Sequence, residues 1–176
     1  LLDTILRSHK DIEVIEEEPL ISTIGNLVQE EFNTKIENLY TISDDAKIIL
    51  RRKYFELLRK YTNKEASLII DKLPLHTVSL PLINLLFPNA KIIFTYRHPY
   101  DTVLSCFQQS FKPNRAMANL LSLESSSIMY DQVMNAWDIY KNYLPLNFIT
   151  SKYEHLIEDF DGQTLKILEF LSLKWD

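Results

Sequence analysis

The chain has 176 residues, of which 46% are apolar and 24% charged, a balance that suits one folded domain with a sizeable core. Its net charge of −5 offers no global attraction to nucleic acid or an anionic membrane, so an anionic ligand must be met by local cations. A single cysteine, Cys106, excludes an internal disulfide and a cysteine-based metal site, and no apolar stretch approaches the ~18–20 residues of a membrane span.

In chain order, Leu1 to Ser8 reads as the body of a helix, and Ile12 to Ile15 as a short strand running into Glu16, Glu17 and Glu18. Two polar-rich helical stretches follow, around Ser22 to Asn38 and Asp44 to Tyr61; in the second, Leu50, Tyr54, Leu57, Leu58 and Tyr61 share one face at helical spacing. Leu68 to Ile70 is the next strand, with Lys72 and Pro74 expected just past its end. Val78 to Phe87 reads as an apolar helix, and Pro88-Asn89 as a turn into the strand Ile92-Ile93-Phe94. Pro99 sets the first turn of a further helix, on which Cys106 is expected to pack as a small apolar group. After Phe111 a polar segment leads into a long amphipathic helix, roughly Glu124 to Tyr143. Its stripe of Tyr130, Val133, Met134, Trp137 and Tyr140 suits core packing better than a ligand platform. Phe148 to Thr150 forms a last strand, followed by Tyr153, and Asp161 is the expected N-cap of a final helix carrying Leu165, Leu168 and Leu171. Strands separated by helices imply parallel pairing with crossover connections, hence an α/β architecture. Short, unbroken apolar strands agree, because parallel strands are covered on both faces.

The densest chemistry lies in KIIFTYRHPYDTVLSCF, Lys91 to Phe107. A strand delivers Arg97 to its carboxyl end, a helix begins at Pro99, and Ser105 lies eight residues beyond the Arg. Ligands of open α/β sheets bind outside the carboxyl ends of strands, and helix N-termini attract anions. A cation and a hydroxyl there suit a phosphate, although the spacing alone equally fits a solvated surface arginine.

RHPYDTVLSCF closely resembles the 3′-phosphate-binding segment of sulfotransferases that use 3′-phosphoadenosine 5′-phosphosulfate (PAPS). That resemblance implies that Arg97 and Ser105 hold the nucleotide's 3′-phosphate. Further blocks in the same order resemble the family. SHKDIEVIEEEP is similar to its Ser-His-Pro-Asp-Val stretch ending in a Glu near a Pro. DKLPLHTVSLPLINLLFPNAKIIF is similar to the Asp-Lys-x-Pro segment and Phe-Pro-Asn-Ala strand of the tyrosylprotein and tetratricopeptide-linked branches. The segment from Tyr130 to Asp176 resembles their C-terminal half, with Tyr-Glu-x-Leu and Phe-Leu-x-Leu-x-Trp. The implied fold is a P-loop-like parallel sheet flanked by helices, and residues 1–176 would be a partial sulfotransferase domain.

By the same resemblance, Lys72 matches the lysine that approaches the sulfuryl group and leaving phosphate, Glu17 the glutamate proposed as general base, and Tyr153 the tyrosine near the nucleotide base and 3′-phosphate. Glu16 adjoins Glu17, so the match is open to a slip of one. His76 is a competing base, but it stands four residues after Lys72, across Pro74, where small-molecule sulfotransferases carry Lys-x-His. Without the resemblance, Lys72 reads as an exposed lysine at a strand end and Glu17 as part of a solvated acidic edge. The expected reaction moves a sulfuryl group from PAPS to a hydroxyl acceptor on protein tyrosine, carbohydrate or a small alcohol, with no metal implied.

The chain departs from the family at both ends. The first strand and a Pro-Arg-Ser-Gly-Thr type loop for the 5′-phosphosulfate would precede Leu1, and further contacts would follow Asp176. The expectation is therefore a fragment that binds PAPS poorly by itself; upstream tetratricopeptide repeats are compatible with one branch. Low cysteine content fits a cytoplasmic protein, while a missing N-terminus would hide any targeting segment. Two alternatives stay open: another nucleotide-dependent transferase of mononucleotide-kinase type, and a non-enzymatic remnant or interaction module of the same fold.

Overall fold

The computed structural model describes residues 1–63, 66–109, 111 and 116–175, and the backbone but not the side chains of 36 and 37. Residues 112–115 of the polar segment after Phe111, and Asp176, lie outside the described residues. The chain divides into two compact units, one ending at Ala90 and the other running from Lys91 to Trp175.

The first unit starts with α1 (Leu2–Ser8) and β1 (Ile12–Glu16), then α2 (Leu20–Phe32). Helix α2 begins and ends earlier than its apolar pattern suggests. Pro19 stands immediately before it, and Asn33 closes it in the left-handed conformation at φ 45°. A 3-10 segment, Ile36–Thr41, leads to α3 (Asp44–Leu58). The Ser43 hydroxyl caps α3 by accepting from the Ala46 N–H at 3.2 Å, and Asp44 and Asp45 follow in the first turn, where negative charge is favoured by the helix dipole. Tyr61 falls beyond the helix and is exposed.

Strand β2 (Leu68–Lys72) extends beyond its apolar run: Lys72 is its last residue rather than the residue past its end. The expected single helix over Val78 to Phe87 is divided. Pro74 opens a 3-10 segment to Ser79, and α4 (Leu80–Leu86) takes over with Pro81 in its first turn, where the missing N–H costs nothing. Strands β1 and β2 pair in parallel, from Ile12 opposite Leu68 to Glu16 opposite Lys72. Ile12, Ile24, Val28, Leu50 and Leu86 are fully buried in this unit. Arg51 Nε donates to the Leu86 carbonyl at 2.5 Å, satisfying an acceptor in the last turn of α4.

In the second unit β3 (Lys91–Tyr96) feeds α5 (Pro99–Gln108), and a 3-10 segment, Met117–Leu120, precedes α6 (Leu123–Tyr143). Strand β4 (Asn147–Lys152) then leads directly into α7 (Tyr153–Glu158) and α8 (Phe160–Leu171). β3 and β4 pair in parallel from Lys91 opposite Asn147 to Tyr96 opposite Lys152. Parallel pairing is thus as expected, realised among the described residues as two two-stranded sheets.

Trp137 is the centre of this unit's core. Its indole lies flat on Phe94, with centroids 3.9 Å apart and planes 3° from parallel, and meets the edge of Phe148 at 5.1 Å. Being only 3% exposed, it serves packing. The N-cap of α8 is Asp159, not Asp161: the Asp159 carboxylate accepts from Gly162 N–H at 3.1 Å, and Asp161 sits inside the first turn. The sequence places acidic residues at both positions, and only the one outside the helix can turn back onto its free N–H groups. Ile167, Leu168 and Leu171 face the interior, while Leu165 is exposed.

Candidate functional site

In the first unit the paired strands end at Glu16 and Lys72, and the ladder continues one step as Glu17 N–H donates to the Lys72 carbonyl at 2.8 Å. Glu17 then turns at φ 59°, in the left-handed region. This turn brings its side chain back over the strand ends. Lys72 Nζ lies 3.0 Å from Glu17 Oε1 and 3.1 Å from Glu16 Oε1, and Arg7 holds the other Glu16 oxygen at 2.8 Å. Partial burial of Lys72 works against its charge, but hydrogen bonds to Glu17 and Glu16 outweigh it and hold the ammonium above its ordinary pKa. Lys72 is therefore a cation throughout the physiological range. Glu16 is held below the usual carboxylate range by Lys72 first and Arg7 second. Two cations thus share Glu16, whereas Glu17 pairs with Lys72 alone among the described residues and is more exposed, 59% against 41%.

Beside Lys72, Asp71 points into a cluster that the sequence did not reveal. Tyr54 O–H donates to Asp71 Oδ2 at 2.9 Å, and His76 Nε2 stands 3.8 Å from Asp71 Oδ1, too far for a hydrogen bond. Asp71 Oδ1 and His76 Nε2 are both buried without a hydrogen-bond partner among the described residues. Burial raises the Asp71 carboxyl despite His76 and Tyr54, raises the Tyr54 phenol, and lowers the His76 imidazole. His76 is thus engaged in a buried cluster with Asp71, within the 3-10 segment that enters α4.

In the second unit the candidates sit where β3 and β4 end side by side. Tyr96 pairs with Lys152, so Arg97 and Tyr153 leave the sheet at the same level. The Arg97 guanidinium lies 4.9 Å from the centroid of the Tyr153 ring and donates to Asp101 Oδ2 at 3.1 Å. Asp101 and Ser105, four residues apart, share one face of α5, and Arg97, which precedes the helix, bonds to the first of them. Ser105 is half-buried, and its hydroxyl has no hydrogen-bond partner among the described residues. Arg97 and Tyr153 remain open to solvent, at 43% and 39%.

Glu154, the Glu of the Tyr-Glu-x-Leu block, has a partner at this corner that the block does not indicate. His98 N–H, leading into α5, donates to Glu154 Oε1 at 2.8 Å. That bond holds the Glu154 carboxyl below its usual range. The anion at this end of α5 is the protein's own carboxylate. The Tyr-Glu-x-Leu block contains Glu154 but not its partner, which is 56 residues away and becomes visible only with the β3–β4 register. Cys106, partly buried on α5, has its thiol pushed up by that burial, the opposite of a reactive cysteine.

The structure thus joins Lys72 with Glu17 in one unit and Arg97 with Tyr153 in the other, with Ser105 further along α5. Among the described residues no helix is long and apolar enough to cross a membrane. A protein of Aquifex aeolicus (strain VF5), described only as "Uncharacterized protein", is 26% identical over 184 residues; the match covers all of this chain and 24% of that relative. The chain therefore spans about a quarter of the length of that relative. A model of the sulfotransferase family matches residues 1–176, and with every segment of both units inside that match, the chain belongs to the sulfotransferase family.

Proposed function

We propose that the protein containing this chain transfers a sulfuryl group from PAPS to a hydroxyl acceptor and releases adenosine 3′,5′-bisphosphate. The observation that carries this reading is the corner where β3 enters α5: a solvent-accessible guanidinium resting on an aromatic ring and bonded to Asp101, with the Ser105 hydroxyl, which has no partner among the described residues, four residues beyond Asp101 on that helix. This donor set suits a phosphate dianion, because guanidinium presents paired N–H groups and the hydroxyl adds a third donor. Arg97 and Ser105 would hold the 3′-phosphate, and Tyr153 would support the guanidinium from beneath.

When bound, PAPS supplies an activated sulfuryl group with a nucleotide phosphate as its leaving group. Lys72 is the fixed cation for negative charge developing on the leaving oxygen, and the carboxylates beside it keep it protonated. Glu17 accepts the proton of the acceptor hydroxyl; of the two carboxylates on Lys72 it is the more exposed and is not shared with Arg7. Asp101 occupies the Arg97 guanidinium when no phosphate is present, keeping the cation extended along α5.

The test is turnover by the full-length protein with PAPS and a panel of phenolic, carbohydrate and alcohol acceptors, following adenosine 3′,5′-bisphosphate release. Lys72→Ala should lower turnover by roughly a hundredfold or more, the scale of a lost electrostatic donor, while nucleotide affinity changes little. Unaltered turnover in that variant, or no acceptor-dependent release by the unmodified protein, would overturn the assignment.

A further inference from the structure

The parallel register that ends at Tyr96 and Lys152 continues beyond the strands as two side-chain links. Arg97 rests over Tyr153, and one step later His98 N–H is bound by Glu154. The His98 residue is also held from the helix side, since its carbonyl accepts from Thr102 N–H at 3.0 Å in the first turn of α5. The backbone segment bearing Arg97 is thereby tied to β4–α7 on one flank and to α5 on the other. Glu154 Oε2 is buried without a hydrogen bond among the described residues, with Lys152 Nζ 4.0 Å away. Of its two cross-links, the 2.8 Å Oε1 bond to the His98 N–H is the shorter and the one that reaches the entry to α5.

From this corner we infer that Glu154 is a positioning residue for the 3′-phosphate site, fixing the His98 backbone so that the guanidinium of Arg97 is presented over Tyr153. The inference rests on the proposed nucleotide reading of Arg97. Glu154 acts through its oxygen acceptor on a backbone donor, not by touching the nucleotide. Its amide analogue, glutamine, should therefore serve nearly as well, and loss of the acceptor should be felt at the 3′-phosphate alone. A general loosening of the unit would instead weaken all nucleotide contacts together.

Calorimetry on the full-length protein with two probes, adenosine 3′,5′-bisphosphate and adenosine 5′-monophosphate, separates these cases. The ratio of their dissociation constants reports the 3′-phosphate contribution. Glu154→Ala should shrink that ratio by roughly tenfold, the order of one charge-assisted hydrogen bond, leaving monophosphate affinity nearly unchanged. Glu154→Gln, which retains an acceptor oxygen, should keep the ratio within about threefold, on the scale of a neutral against a charged acceptor. If the alanine variant does not fold, Glu154→Met keeps the chain length without the acceptor and carries the same expectation. Should Arg97→Ala collapse the ratio while Glu154→Ala and Glu154→Met leave it intact, the positioning role is wrong and the nucleotide reading stands. A glutamine variant that loses the ratio also overturns the role. If the unmodified protein shows no preference for the 3′-phosphate, or Arg97→Ala does not reduce it, the nucleotide reading fails and takes this inference with it.

Discussion

Replacing Asp71 by asparagine should stabilise the first unit at alkaline pH. The carboxylate is 13% exposed and receives one hydrogen bond, from Tyr54 at 2.9 Å, while Oδ1 has none among the described residues. An unsatisfied buried acceptor costs about 1–3 kcal/mol. Asparagine removes the charge, keeps an oxygen for Tyr54 and, with a small shift, turns its amide N–H towards His76 Nε2, which has no partner among the described residues, at a loss of about 1 kcal/mol for exchanging a charged acceptor for a neutral one. The net expectation is a gain of about 1 kcal/mol at pH 8. With a urea slope of about 2 kcal/mol/M, that moves the local midpoint by about 0.5 M.

The pH dependence follows from the direction of the shifts. Burial raises the folded pKa of Asp71 above its unfolded value of about 4. As pH rises, the unfolded chain releases this proton first, so the stability of the unmodified protein falls between the unfolded and folded values and is flat above. The advantage of asparagine should therefore shrink as pH is lowered towards about 4. His76 adds to this trend. Its pKa is lowered by burial and partly restored by Asp71, so asparagine makes its protonation in the fold harder as pH drops below about 6.5. Tyr54→Phe should cost about 1–3 kcal/mol at pH 8 and clearly less when combined with Asp71→Asn, a coupling that a double-mutant cycle isolates. The assay is hydrogen exchange of peptides from α3 and β2 across a urea series, in the full-length protein. Destabilisation by Asp71→Asn at pH 8, or a difference that does not change with pH, would refute the reasoning.

Arg97→Ala should weaken adenosine 3′,5′-bisphosphate binding by roughly 1.5–3 kcal/mol, the value of hydrogen bonds to a charged group, as read by calorimetry. Asp101→Asn should tighten the same ligand by up to about fivefold, since the exposed Arg97–Asp101 pair it dissolves is worth ~0.2–1 kcal/mol; weaker binding would show that Asp101 orients Arg97 rather than competing for it. Trp137→Ala should cost about 3–5 kcal/mol, because the indole fills the contact between Phe94 and Phe148, and thermal unfolding of the second unit would report it. Asp159→Ala should lower α8 stability by about 0.5–2 kcal/mol, whereas Asp161→Ala should lose only the ~0.3–1 kcal/mol of a first-turn charge; equal effects on hydrogen exchange in α8 would contradict the observed cap.

Apolar period and turn residues disclosed the strands and helices because both are local properties. Ile12, Leu68, Ile92 and Phe148 each announce a strand, and all four strands pair in parallel. Boundaries were less legible where backbone geometry overruled pattern. Asn33 ends α2 in a left-handed turn although apolar residues continue, and Pro74 with Pro81 divides the stretch before Phe87. Asp159 and Asp161 are equivalent as letters; only the helix start separates them. Site legibility followed the same division. Arg97, Ser105, Lys72 and Glu17 lie in short recognisable segments, whereas Tyr54–Asp71–His76 and His98–Glu154 join residues whose partnership depends on how helices and strands pack. Polar contacts of that kind carry no period.

The backbone at Glu17 also bears on natural variation. A glutamate at φ 59° occupies a conformation that glycine adopts without cost and that asparagine tolerates better than longer side chains. Random drift at this position should accordingly favour glycine or asparagine, since either would relax the chain while preserving the N–H bond to the Lys72 carbonyl. A carboxylate can persist there only if something rewards the side chain itself. Its ion pair with Lys72 is one such reward, and the proposed role as base is another. Replacement by glycine among descendants of this chain would give up both.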